Sequence, residues 1–491
     1  MTQGYIGTKP DYSYWNEQIR LGKEFRKKAS CEAEWKKWRE YYRGEWHGDV
    51  LPVNLFFSML RTIVPRLYFR NPSISLKPGK PGVENAVFAK ILERIDGNLI
   101  QEMDMKREMR RIIQETWMFG TSFAKNGFGT EHDPVMEIGK DLGRTDRGEV
   151  LEYNSAIKSA MPWVGRSSTK NMVLPEGCRH FKEARWMAER VIRPIDDVRA
   201  DKRFANRSKL KPTGSLMSPM GMVSKAPREE HIELWEIRDK KTGQVFVLTD
   251  YVMENSDNAS HTLLQGPDFF LNTSGMFAWK GMVFNEDDER AWGVPDSKIL
   301  EPYQLEINEI KTQAMFHRRM ATSKILARVN TISKDQAQKL VDESILPVIY
   351  MNGDPSRDVK ILDSMPIPAE LRLAAVDVIQ DMRETAGFGR NQFGEFNPGS
   401  SDTTATEAQI VRQASEIRVD ERRDIIADLM VDTFKDVHHV IFNFWRSEQV
   451  VDLVGPGAQP LWVAYTGTEL ARSSFSVLID PDNSIPETKA T

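Results

Sequence analysis

Cysteine is almost absent from the 491-residue chain: Cys31 and Cys178 are the only two. Two cannot build a disulfide framework, which suits a reducing cytoplasm. Long hydrophobic runs are missing as well. No stretch of about 18 apolar residues occurs, so no membrane-spanning helix is expected, and the N-terminus shows no signal pattern. The greasiest early stretch, Leu51 to Phe69, is broken by Arg61, Pro65 and Arg66. Basic excess is the third absence, with 67 Lys and Arg against 71 Asp and Glu and a net charge of −4. A protein that grips DNA through phosphates usually carries the opposite balance, so nucleic acid met by this chain should not be held tightly.

Catalytic signatures are lacking too. No segment matches Gly-x4-Gly-Lys-Ser/Thr, so a nucleotide-driven motor is unsupported. Gly387-Phe-Gly-Arg-Asn-Gln-Phe-Gly394 places its third glycine two positions late for a dinucleotide loop, and no strand precedes it. His438 and His439 are adjacent on a predicted helix and so point about 100° apart, poor geometry for a shared metal. Cys178-Arg-His180 would need two further zinc ligands. No Gly-x-Ser-x-Gly elbow occurs, and no carboxylate spacing marks a catalytic pair. The expectation is a non-enzymatic protein with no cofactor and no metal.

What is present is an ordinary globular composition, 40% hydrophobic and 28% charged, in a chain long enough for roughly two to four structural units. The dominant feature lies between Ser400 and Val454, where neither Gly nor Pro occurs. Thr404-Ala-Thr-Glu407 has capping-box spacing. Ile410, Ala414 and Ile417, then Ile426, Leu429, Thr433, Val437, Val440 and Phe444, follow at helical spacing. Between the two stripes the charged span Arg418–Asp424 predicts a bend or a change of packing partner. A helix over 404–446 would be about 60 Å long.

Upstream, residues 13–46 read as amphipathic helix with Trp15, Trp35, Trp38, Tyr41, Tyr42 and Trp46 as packing anchors. A helix runs to Val64, where Pro65 ends or kinks it, and Ser73–Lys77 alternates as a strand. Helical patterns cover Val83–Asn98 and Leu99–Phe119. From Gly127 to Pro295 short alternating runs replace them, including 185–192, 231–237 and 245–248, the last two forming a hairpin across Asp239–Gly243. Residues 203–230 lack any period and predict a mobile loop. Helix returns at Glu301–Met320, with Leu305, Ile310 and Ala314 on one side. A compact α/β insert follows over 324–366, with strands at 324–329, 348–351 and 359–362 and a short helix at 333–344. Then come a helix over Ala369–Ala386, a Gly-rich segment from 387, the long helix, and strands at 461–465 and 475–479. The fold class is α+β.

Three places, taken with this order of elements, resemble one family. Val64-Pro-Arg-Leu-Tyr-Phe-Arg-Asn-Pro72, within Asn54–Pro72, is similar to a segment where a helix breaks into a strand. Ile192-Arg-Pro-Ile-Asp-Asp-Val-Arg-Ala-Asp201 is similar to a signature of proline, then Asp-Val, then Asp. Thr404-Ala-Thr-Glu407 opens a long helix just after a Gly-rich loop. The family they resemble is the portal, or head-to-tail connector, protein of tailed double-stranded DNA bacteriophages, and the likeness spans nearly the whole chain.

The resemblance implies a portal fold: a β-rich wing over 1–300, stem helices at 301–323 and 367–386, a clip at 324–366, and a tunnel loop at 387–403. It further implies a kinked long helix at 404–446 and a C-terminal wing segment from 447. It implies a ring, usually of twelve copies, at one capsid vertex of a virion assembled in the host cytoplasm. Double-stranded DNA would pass through it during packaging and ejection. Implied partners are the terminase large subunit, head-completion or adaptor and tail proteins, and the major capsid and scaffolding proteins, with no membrane. Arg390, Asn391 and Gln392 are candidates for touching DNA, with Arg372 and Arg383 as second choices. Inter-subunit salt bridges or solvated charges are the alternative account of Arg390, Arg372 and Arg383. Lys334, Asp335, Asp354 and Arg357 are the clip's docking candidates. In the family, a segment like Phe475–Asp480 leads into a crown or barrel, whereas this sequence stops at Thr491. Rival expectations are another ring-forming head-tail adaptor or collar protein, and a nucleic-acid enzyme, which would need a carboxylate-metal cluster or a phosphate loop.

Overall fold

A computed structural model describes residues 12–129, 141–144, 150–152, 161–212, 214–215, 230–249, 262–320, 324–327, 359–362, 369–387, 405–445, 449–454, 460–471 and 475–479, with isolated positions between 332 and 357. The chain is mixed α and β and divides into two compact units. The first comprises Met1–Arg39, Ser58–Ile299 and Asn397–Thr491, and the second Glu40–Phe57 and Leu300–Phe396. The sequence reading grouped 40–57 with the rest of 1–300.

In chain order the elements begin with helices α1 (Tyr12–Ala29), α2 (Trp35–Arg43) and α3 (Leu55–Leu67), strand β1 (Ile74–Pro78), and helices α4 (Val83–Glu102) and α5 (Met105–Phe119). Strands β2 (Thr121–Phe128), β3 (Asp141–Arg144), β4 (Val150–Glu152), β5 (Pro162–Ser167), β6 (Met172–Val173) and β7 (Trp186–Pro194) follow, then helix α6 (Ile195–Ala200). Next are β8 (Gly214–Ser215), β9 (Glu230–Asp239), β10 (Gln244–Thr249), β11 (Thr262–Pro267), α7 (Phe269–Thr273) and β12 (Trp279–Val283). The remainder is α8 (Asp296–Met320), β13 (Lys324–Ala327), β14 (Val359–Leu362), α9 (Ala369–Thr385), α10 (Ala405–Phe444), β15 (Gln449–Val454), β16 (Pro460–Tyr465), α11 (Gly467–Leu470) and β17 (Phe475–Ile479).

The first unit is built on two antiparallel sheets. One has the order β11-β10-β9-β7-β6, with β8 added to β9, and the other the order β12-β2-β5. β9 and β10 form the expected hairpin, Asp239 opposite Gln244, with Gly243 at φ +64° in the turn. Helix α1 covers the larger sheet by driving Trp15 and Ile19 among Trp186, Trp235 and Phe246. It approaches so closely at Gly22 that a Cβ there would collide with Val173 and the Leu174 carbonyl. Trp15, Trp35 and Trp38 are all buried, the packing role expected of them.

Helix α10 is continuous over 40 residues. Its second stripe is a core face: Ile426, Leu429, Thr433, Val437 and Val440 are buried together with Met430, Phe434 and Ile441. At about 1.5–3 kcal/mol per fully buried large side chain, that face anchors the helix despite the charges elsewhere on it. Phe444, by contrast, is 42% exposed and stacks on Phe128 with ring centroids 4.4 Å apart. The charged span 418–424 does not interrupt the helix. It changes partners instead: Arg422 donates to Asp296 at 2.7 Å, and Arg423 donates to the Arg66 carbonyl through Nη2 at 3.0 Å. Thr404, the expected cap, lies outside the described residues.

Several boundaries differ from expectation. Pro65 does not end α3, which continues to Leu67. Proline removes one donor in the last turn, while the carbonyls beyond are taken by arginines, Arg423 on Arg66 and Arg110 on Tyr68 and Phe69. The junction between α4 and α5 falls at Asp104, which adopts φ +49°, rather than at Asn98. Asp and Asn tolerate that left-handed conformation better than most side chains. Part of the expected mobile loop is packed: Phe204 and Leu210 are buried against Ile195, Val198, Ile232 and Leu234. The rest of that loop, 216–229, lies outside the described residues.

The second unit centres on α8 from Leu300 onward and α9. Ile307 and Ile310 meet Ala375, with Val53, Leu55, Leu371, Val378 and Ile379 around them. The buried face of α8 is therefore Ile307 and Ile310. Leu305 is 45% exposed, so the expected grouping of Leu305 with Ile310 and Ala314 fails. Strands β13 and β14 pair antiparallel with Lys324 opposite Leu362. The expected strand at 348–351 and most of the helix at 333–344 lie outside the described residues.

Candidate functional site

In the second unit, α8 presents Gln304, Asn308 and Thr312 four residues apart, and so in line along one helix face. They bind the extended segment before α3 as a sheet edge would. Gln304 Oε1 accepts the N–H groups of Leu55 and Phe56 at 2.9 and 3.1 Å, and its Nε2 donates to the Val53 carbonyl at 2.8 Å. Asn308 Oδ1 accepts from Val53 N at 2.9 Å, and Thr312 Oγ1 from Leu51 N at 2.9 Å. Gln304 and Asn308 are buried. The end of α9 is tied to the same helix by Thr385 Oγ1 and the Tyr303 hydroxyl, 3.1 Å apart.

The exposed sides of these helices mix apolar with charged residues, Glu306 and Glu309 on α8 and Glu370, Asp377 and Glu384 on α9 among them. Leu305 and Phe316 on α8 are 45% and 38% exposed, and Leu373 and Val376 on α9 are 64% and 58% exposed. Leu305 and Phe316 are about three turns apart and share a face, as Leu373 and Val376 do at i and i+3. On α9, Arg372 is exposed and Arg383 half-buried, again about three turns apart and so on one face. Lys334, Asp335, Asp354 and Arg357 are exposed, and the Arg357 N–H donates to the Asp354 carbonyl at 3.1 Å. Arg390, Asn391 and Gln392, the first-choice DNA contacts, lie outside the described residues.

The first unit contains a charge network that the sequence reading missed. Lys125 on β2 is buried and donates to Glu189 at 3.0 Å and Glu236 at 2.6 Å. Glu189 also accepts from Trp279 Nε1 at 3.0 Å, and Arg238 pairs with Glu236 at 2.6 Å and Asp268 at 3.0 Å. Burial alone would raise the Glu236 carboxyl, but Lys125 and Arg238 hold it at about 2. A second cluster joins α10 to the smaller sheet. Lys280 meets Asp436 at 2.7 Å, and Asn126 Nδ2 donates to the same carboxylate at 2.9 Å. Burial pushes Asp436 up and Lys280 down. A third pair, His438 Nε2 with Asp96 at 2.8 Å, links α10 to α4, and burial raises Asp96 even against the imidazole. Each carboxylate here is committed to a Lys or Arg, to the His438 imidazole or to a backbone N–H, which fixes strands and helices against one another.

Beside that second cluster, β12 and α10 bound a cleft of about 530 Å³. Its walls carry Phe181, Phe277, Trp279 and Leu429, and its lining has six basic side chains against four acidic ones. Cys178 sits nearby as a structural residue, its thiol donating to the His180 carbonyl at 3.2 Å. Among the described residues no group of three or more His, Cys, Asp or Glu could hold a metal ion, and no helix is long and apolar enough to cross a membrane. Compared with protein-family models the chain matches none, and no curated protein matches it either.

Proposed function

We propose that the protein is the portal subunit of a tailed double-stranded DNA bacteriophage. In this reading, copies form a ring at one capsid vertex through which DNA is packaged and ejected. The ring first receives the terminase and later the head-completion and tail proteins. The observation that carries it is the exposed apolar pair on each of the two helices of the second unit, Leu305 with Phe316 and Leu373 with Val376. Apolar side chains this exposed, on helices whose other faces already pack together, are the surfaces further copies of the chain would cover. The order of elements supports the same reading: a helix, an antiparallel strand pair, a second helix, then a 40-residue helix.

A net charge of −4 suits a conduit. DNA must slide, and many simultaneous phosphate contacts would trap it. A ring multiplies each weak contact by the number of subunits, so Arg390, Asn391, Gln392, Arg372 and Arg383 suffice as the polar contacts. End-on electron microscopy of the purified protein, with its solution mass, tests the proposal. Rings of about twelve subunits around a hole wide enough for a duplex are expected. A monodisperse monomer or dimer that stays so when the scaffolding protein is added would overturn it.

A further inference from the structure

We propose that the cleft between β12 and α10 binds a small ligand combining an anionic oxygen group with an apolar body, its anion seated at Lys240 beside Lys280. The inference does not rest on the portal reading. The cavity, about 530 Å³, falls within the range of about 300–1,000 Å³ common for small-molecule sites. Aromatic and aliphatic walls supply the apolar contact, as such sites require.

The polar side of the cleft is asymmetric. Lys182 is drawn to Asp432 at 3.3 Å, Lys435 to Asp432 at 3.0 Å, and Arg290 to Asp287 at 2.7 Å. Lys280 has Asp436. Lys240 differs from all of these. Its ammonium is positioned by two uncharged partners, the Lys182 carbonyl at 2.7 Å and the Phe277 ring at 4.8 Å. Among the described residues it has no carboxylate. Burial and the neighbouring Lys280 charge both pull Lys240 below the usual lysine range. An anion at this point would relieve the repulsion between the two ammonium groups, while Phe277 and Trp279 accept the rest of the ligand. Lysine serves such groups as a point charge.

Pyridoxal 5′-phosphate is a suitable probe, because it is an anionic aromatic aldehyde. Its carbonyl carbon condenses with the Lys240 amine with loss of water, and borohydride reduces the imine to a stable secondary amine that peptide mass spectrometry locates. On the full chain, Lys240 should be labelled about fivefold faster than Lys182 or Lys435, because the phosphate drawn to Lys240 and Lys280 concentrates the aldehyde there, whereas Lys182 and Lys435 are paired with Asp432. Phenyl phosphate or phenylacetate should protect Lys240 at lower concentration than inorganic phosphate, and the better of the two identifies the ligand's anion as phosphate or carboxylate. Calorimetry with pyridoxine 5′-phosphate, which cannot form the imine, should show binding that is lost in Lys240→Gln, a change at an exposed position. Equal labelling of the three lysines, protection no better than inorganic phosphate gives, or unchanged calorimetric binding in Lys240→Gln overturns the proposal.

Discussion

Gln304 accepts the backbone N–H of Leu55 at 2.9 Å although the two residues are 249 positions apart, and the same side chain serves Phe56 and Val53. One amide thus binds three main-chain groups where α3 begins, two of which, the Leu55 N–H and the Val53 carbonyl, also meet each other at 2.8 Å. Gln304→Ala should cost about 1–3 kcal/mol, the penalty for depriving the buried Phe56 N–H of this acceptor, since Leu55 and Val53 keep their bond to each other. Gln304→Glu keeps the acceptor and loses the donor to Val53. Amide exchange at Phe56 should therefore accelerate strongly in the alanine variant and much less in the glutamate variant, with a smaller change at Leu55, which keeps the Val53 carbonyl. Equal protection in wild type and Gln304→Ala would show that the segment is held by other means.

Lys125 is the cation that Glu189 and Glu236 share, with Arg238 as a second partner of Glu236. Removing one partner of a buried ion network typically costs about 3–5 kcal/mol, so Lys125→Met should lower the denaturation midpoint by a corresponding amount. The pH dependence has a definite sign. Glu236 is held at about 2, below its ordinary value of 4.5, so its stabilisation is fully present above 4.5 and is lost as the pH falls toward 2. The buried Asp96 and Asp436, both raised, act oppositely: their contribution is greatest in acid and declines as the pH rises through their folded values. Wild type should lose stability between about pH 4.5 and 2, and Lys125→Met should lose less over that interval because Arg238 alone then holds Glu236 down and the carboxyl is less depressed. Chemical denaturation at a series of pH values measures both slopes.

Leu373→Asp combined with Val376→Asp tests the proposed ring. Both side chains are more than half exposed, so the change should leave the subunit's fold and circular dichroism intact. Sedimentation should show loss of the large assembly. A double variant that still forms full rings would remove these residues from the interface.

Legibility in the sequence followed range. The stripe Ile426 to Val440 was readable because a local period repeats over several turns and one packed layer answers it. Leu305 was misassigned because a helix carrying apolar residues at 305, 307 and 310 offers two faces, and only tertiary packing selects 307 and 310. Gln304, Asn308 and Thr312 look from the sequence like a solvated stripe. Their partner is a segment about 250 residues earlier, which no local pattern announces. The same holds for Lys125, whose carboxylates lie 64 and 111 positions away, and for His438, whose Asp96 lies 342 away. Read as strand residues, Lys125, Glu189 and Glu236 alternate like outward-facing charges, and only the approach of one sheet to the other turns them inward.

Two glycines make the final test, because the same substitution should act in opposite directions. At Gly467, in α11, a Cβ would press into the carbonyl oxygens of Ile441 and Trp445 at the end of α10, and its N–H donates to Trp445 O at 2.8 Å. Gly467→Ala must therefore lift α11 away from the long helix, at a cost of about 1–3 kcal/mol. Gly97 lies exposed within α4, with nothing near the position of an added Cβ. There alanine meets no obstacle and restricts the unfolded chain, so Gly97→Ala should stabilise by about 0.4–1 kcal/mol. Thermal unfolding of the two variants beside wild type measures both shifts. If Gly467→Ala leaves the melting temperature unchanged while Gly97→Ala raises it, the close approach of α11 to α10 is not a constraint on the folded chain.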